Sequence, residues 1–168
     1  MSDIGEVRVV EIDAHHAKGI AGNMLFCVWR FETQATAYVR ARTLLSELGA
    51  QHPSGVGLLQ VIETTALPPD TSARAEFPKL HDVADRVVKH SSIVHEGTGF
   101  KAAAVRTITS GVYLVSRRKF PQETFSSLDQ AAAWHATNQQ ALGWSRNAAP
   151  IAQAVRTLRR RLEEIPPP

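Results

Sequence analysis

Residues 91–117, SSIVHEGTGFKAAAVRTITSGVYLVSR, pass from a short apolar strand through a glycine turn straight into a helical pattern. Ser92 to His95 reads as the strand and Gly97-Thr98-Gly99 as the turn. Phe100, Ala104, Ile108, Val112 and Val115 mark the inner face of a helix from about Gly99 to Arg117. A strand that enters a helix without a spacer sets a sheet against a helix layer, the joint of an α/β fold.

The rest of the chain supplies the other units. Strands are expected at Glu6–Ile12 and Asn23–Arg30, the second near-continuously apolar and therefore central, and the two read as an antiparallel pair. His15, His16, Lys18, Gly19 and Gly22 read as the turn between them. A helix follows from Thr33, with Tyr38, Ala41, Leu45 and Leu48 on one face and Gly49 and Pro53 at its end. Gly55–Glu63 (GVGLLQVIE) is a third strand. Ala73, Phe77, Leu80, Ala84 and Val87 predict a helix from Asp70 or Thr71 to about His90, split or kinked at Pro78. A short strand at Glu123–Phe125 and a helix opened by Ser127-Leu128-Asp129 complete the domain. Strands separated by helices call for right-handed parallel crossovers.

A chain of 168 residues, 43% hydrophobic, is long enough for one domain with its own core. It has no apolar run long enough to span a bilayer and no signal-peptide pattern at its start, so a cytoplasmic protein is expected. The single cysteine, Cys27, lies in the apolar run MLFCVW and reads as a packed hydrophobe. Residues 1–140 carry 14 Lys/Arg and 14 Asp/Glu, so the whole net charge of +3 comes from residues 141–168. A neutral globular part argues against a nucleic-acid-binding core.

GVGLLQVIE, the turn and helix EGTGFKAAAVRTITSG and the segment FSSLDQAAAWHA together resemble the STAS-like group, the fold of the bacterial anti-sigma-factor antagonists, and more narrowly its STAS/SEC14-type relatives. The resemblance covers about residues 5–140. It implies a mixed sheet of four to five strands with helices packed against it, and a protein-interaction role in signalling. Some members are switched by phosphorylation of a Ser or Thr where the helix after the third strand begins. Thr71 and Ser72 stand there, and Pro68-Pro69-Asp70-Thr71-Ser72 replaces the family's tight Asp-Ser-Ser-Gly turn.

Three features carry candidate chemistry. Gly97, Thr98, Gly99 and Lys101 match a glycine-rich anion turn, but three strands precede it, and Arg117, Arg118 and Lys119 stand where a ribose-binding acid belongs. Thr71 and Ser72 are helix caps or regulatory hydroxyls. The last helix repeats Ile151, Val155, Leu158, Leu162 and Ile165 at helical spacing, flanked by Arg156, Arg159 and Arg160. That seam docks on its own domain or takes a partner, another copy of the chain included. The seven histidines show no metal-ligand spacing, and no hydrolase, zinc-protease or P-loop motif occurs. No catalytic residue, metal or cofactor is assigned.

The expectation is therefore an α/β domain over residues 1–140 and a basic amphipathic helix with a proline tail over 141–168. Its function is expected to be that of a non-catalytic protein-interaction or regulatory module. The alternatives are a small-ligand or anion binder at Gly97–Lys101, and a protein that assembles through its last helix.

Overall fold

MLFCVW is buried at every position and forms a strand near the middle of the sheet. The computed structural model describes residues 1–97 and 118–168. Among them six strands, β1 Arg8–Ile12, β2 His16–Ala21, β3 Met24–Trp29, β4 Val56–Ile62, β5 Val88–His95 and β6 Gln122–Phe125, lie side by side in chain order. β1, β2 and β3 run antiparallel as a meander, and β3 to β6 run parallel. The helices are α1 Ala35–Gln51, α2 Thr71–Ala75, α3 Phe77–Val87, α4 Leu128–Ala141 and α5 Ala148–Glu163.

The fold is thus α/β with a mixed sheet, as expected, but with six strands rather than four or five. The added strand is β2, the segment HAKGIA that reads as a turn. Lys18 is wholly buried there, and the charge is met across the register by Glu11, whose carboxylate lies 2.8 Å from Nζ. The Trp29 ring lies 5.1 Å from the same ammonium. Gly19 is there for packing: a Cβ on it would come within 2.6 Å of Val7 and 3.0 Å of Leu158. The true turn is at Gly22, with φ +52. β2 therefore separates β1 from β3, and these two strands are not the antiparallel pair that the sequence suggests.

The helix predicted from residue 70 to 90 is two helices and the start of a strand. α2 ends at Ala75, and α3 begins at Phe77 with Pro78 in its first turn, where a missing N–H costs no bond. From Val88 the chain is already strand, because this segment pairs with β4 from Val56 onward. Thr33 does not cap α1, whose N-cap is Gln34 without a side-chain bond; its hydroxyl donates to the Leu67 carbonyl instead. Ser127 holds the N-cap position of α4, likewise without a side-chain bond. The helix expected from Gly99 to Arg117, and with it Thr98, Gly99 and Lys101, lies outside the described residues.

Alternation along the strands divides the core. Leu25, Cys27, Trp29, Val56 and Leu58 pack against α1 and α3 on one face. Met24, Phe26, Val28, Leu59, Val61 and Val94 pack against α4 and α5 on the other. Burial pushes the Cys27 thiol up to about 12, so it is a packed hydrophobe and no nucleophile.

Candidate functional site

The carboxyl ends of β3, β4 and β5 open into one cleft, the place where parallel α/β sheets hold ligands. Arg30 and Phe31 follow β3, Glu63, Thr64 and Thr65 follow β4, and Glu96 follows β5. The C-terminal half of α5 closes the side with Arg156, Arg159, Arg160 and Glu163, and the volume is about 850 Å³. α5 reaches this position because Ile151, Ala154, Val155, Leu158 and Leu162 are buried against the sheet and α4, which leaves its arginines along the flank.

Glu63 organises the floor. Its carboxylate accepts from Arg30 Nε at 2.7 Å, Arg30 Nη2 at 3.3 Å and Arg159 Nε at 3.0 Å. Burial opposes its charge, yet these hydrogen bonds hold it below the usual carboxylate range. Arg159 reaches on to Glu96 with Nη2. Burial likewise opposes the Arg159 charge, and Glu96 and Glu63 outweigh it and raise its pKa. Thr65 donates its hydroxyl to the Arg30 carbonyl at 2.6 Å, which fixes the segment beside the cleft.

The outer rim is less committed. Arg156 pairs with Asp129 at 2.7 Å, but the two side chains are 53% and 75% exposed, and such surface pairs hold little energy. Arg160 is exposed and makes no ion pair among the described residues.

The loop after β4 leads to the start of α2. Asp70 is the N-cap: its Oδ1 accepts from the Ala73 N–H at 2.8 Å and from the Ser72 hydroxyl at 2.9 Å. Those bonds, the Ala73 one first, hold Asp70 below its ordinary range. Thr71 and Ser72 are both exposed. Gly97 directly follows Glu96 and so adjoins the cleft.

A second polar cluster lies at the opposite, amino end of the parallel strands, between β5 and α4. Ser92 Oγ is 2.7 Å from His135 Nε2, and His135 Nδ1 is 2.7 Å from His90 Nδ1. Beyond them Gln139 and Asn23 exchange reciprocal amide bonds of 2.8 and 3.0 Å, and Asn23 also donates to the Gly55 carbonyl at 3.0 Å. Burial lowers His90 to about 4, against a small opposing effect of the Gln139 carboxamide, although no bond of good geometry reaches His90 Nε2. Burial, and then His90, lowers His135 well below the ordinary range. Ser92, His90 and His135 are shut off from solvent, so this serine–imidazole chain is closed to a substrate.

Two of the seven histidines, His90 and His135, are therefore joined. No three or more His, Cys, Asp or Glu among the described residues are arranged to hold a metal, and no helix among them is long and apolar enough to cross a membrane. Arg30, Glu63 and Glu96 escape sequence reasoning, because each is an ordinary charge at a strand end until tertiary structure brings them together. The signals that point here are the basic flank of the last helix and Gly97, which follows Glu96 in the chain.

Comparison of the chain with protein-family models, with curated proteins and with solved structures finds no match.

Proposed function

We propose that the chain is a non-catalytic, cytoplasmic regulatory module that binds a protein partner at the carboxyl end of its sheet, where the loop after β4 meets α2. The observation that carries this reading is Leu67. Its side chain is 47% exposed, and Met1 and Val39 are the other exposed large hydrophobics among the described residues. Val39 stands in the first turns of α1, at the same end of the sheet. The Leu67 backbone is held on both sides, its N–H donating to the Phe31 carbonyl at 2.9 Å and its carbonyl accepting from Thr33 at 3.2 Å. Pro68 and Pro69 stiffen the chain between Leu67 and α2. An apolar side chain held in water by a fixed backbone is a preorganised anchor, since little conformational freedom remains to be lost on binding.

The STAS-like resemblance belongs to the same proposal, and the helices that follow β3, β4 and β6 support it. Ser72 offers the switch. Its hydroxyl donates to Asp70, so a phosphate there would replace a hydrogen bond with a like-charge clash and undo the cap of α2. Self-assembly has less to use, because the apolar seam of α5 is spent on the chain's own core.

A photo-crosslinking residue at position 67, with one at the exposed position 47 on the far part of α1 as control, tests the reading. One protein captured from position 67 alone, whose purified form binds the wild-type chain but not Leu67→Glu or Ser72→Asp, is the expected result. Equal capture from both positions, or undiminished binding by Leu67→Glu, would remove the proposed surface.

A further inference from the structure

We propose that the cleft beyond β3, β4 and β5 binds a small phosphorylated metabolite, its phosphate held by Arg156 and Arg160. The inference is independent of the protein partner, because Leu67 does not line the cleft.

The charges of the cleft sort into a closed frame and an open rim. Two guanidiniums, Arg30 and Arg159, pair with two carboxylates, Glu63 with both and Glu96 with Arg159. Glu63 and Glu96 therefore serve to fix arginines, and the frame they form is neutral as a whole. At the rim stand Arg156, tied only to an exposed Asp129, and Arg160, without an ion pair among the described residues; the exposed Glu163 opposes them.

Arg156 and Arg160 lie four residues apart on α5, hence on one face and one turn apart, where like charges repel. The helix dipole favours cations in the last turn and so accounts for Arg160. It does not account for Arg156, a turn earlier. An anion between the two relieves the repulsion. Two planar guanidinium forks match a dianionic phosphate, whereas a monocarboxylate would satisfy one of them.

The size of the site argues for more than a bare anion. A volume of about 850 Å³ lies within the range of small-molecule sites, and free phosphate would leave most of it filled with water. Phe31 supplies a ring to cover an organic body, and Thr64 adds a hydroxyl beside it. The long-range field agrees: residues 1–140 are neutral, and the net +3 resides in residues 141–168, which include Arg156 and Arg160.

Calorimetric titration of the full chain with inorganic phosphate, glucose 6-phosphate, phosphoenolpyruvate and AMP, beside glucose, pyruvate and adenosine, tests the proposal. At least one organic phosphate is expected to bind with Kd below about 1 mM, and its dephosphorylated counterpart is not. Arg156→Glu and Arg160→Glu should each weaken binding by about tenfold or more with unchanged circular dichroism, as both positions are exposed. Leu67→Glu should leave it intact. The proposal is overturned if no organic phosphate binds, if inorganic phosphate binds as well as every organic one, or if both arginine variants bind like wild type.

Discussion

Nδ1 of His90 lies 2.7 Å from Nδ1 of His135, in a buried seam between β5 and α4. At that separation the two nitrogens share one proton, one ring donating and the other accepting. The far side of His135 faces the Ser92 hydroxyl, which adapts to either direction by rotating. The Ser92–His135–His90 bonds hold while both rings are neutral, and only His90 Nε2 lacks a bond of good geometry. A further proton on the pair would leave a charge in the core.

Acid is therefore expected to destabilise the protein before carboxylates titrate. His90 is depressed to about 4 from 6.5, and His135 is depressed as well. A lowered histidine pKa means that the unfolded chain binds more protons, so stability is complete above about pH 6.5 and falls as pH drops through that value toward 4. The His90 shift alone corresponds to a loss on the order of 3 kcal/mol across the window. His81, lowered to about 4 by burial and then by Arg118, adds in the same direction. Urea midpoints between pH 7 and 4 measure the sum, and ring ¹H–¹⁵N spectra assign it. A His90 ring that titrates near 6.5 in the folded protein would refute the account.

Gly57 makes room for that ring. A Cβ on it would meet His90 Cε1 at 2.6 Å and Met24 Cγ at 3.0 Å, and His90 cannot retreat while His135 holds it. Gly57→Ala should thus cost about 2 kcal/mol or more, in the range of overpacked cores. In a His90→Ala background the same change should cost less by about 1 kcal/mol, a coupling that a double-mutant cycle reads directly. Additive costs would show that the ring is not the obstacle.

These relationships mark the line between what the sequence discloses and what it hides. The apolar run of β3, the break at Pro78 and the spacing of Ile151, Val155, Leu158 and Leu162 are readable because each is a local pattern whose physics is local. β2 is misread because Lys18 and Gly19 each act through a distant residue. Glu11 neutralises the first, while Val7 and Leu158 fill the space left by the second. The cleft is hidden for the same reason. Arg30, Glu63, Glu96 and Arg159 come from four separate segments, and nothing in the neighbours of any one of them announces the others.

Glu63 is predicted to matter for stability as well as for the cleft. It is 11% exposed and receives both Arg30 and Arg159. Glu63→Gln keeps the shape but removes the charge that both guanidiniums face, and should cost about 1–3 kcal/mol. Paired with Arg159→Met in a double-mutant cycle, it should show a coupling above about 0.5 kcal/mol. A neutral Glu63→Gln would mean that the frame is solvated and loose.

The last helix gives the sharpest test of how the chain is divided. If α5 were an appendage, removing residues 147–168 would leave the sheet folded and change only the mass in solution. The packing predicts otherwise. Ile151, Val155, Leu158 and Leu162 are each at most 1% exposed, and they cover β2 and β3 on the face that includes Met24, Phe26 and Val28. Leu158 also fills the space that Gly19 leaves above β2. Leu158→Ala alone should cost about 2–5 kcal/mol, a large share of the roughly 5–15 kcal/mol that holds a domain together. Loss of four such side chains exceeds that reserve. The truncated chain should therefore lose its cooperative thermal transition and elute as an expanded or aggregated species, whereas Leu158→Ala should still melt cooperatively at a lower Tm. A truncated protein that melts cooperatively within a few degrees of the full chain would show that α5 is an addition to the fold and not part of it.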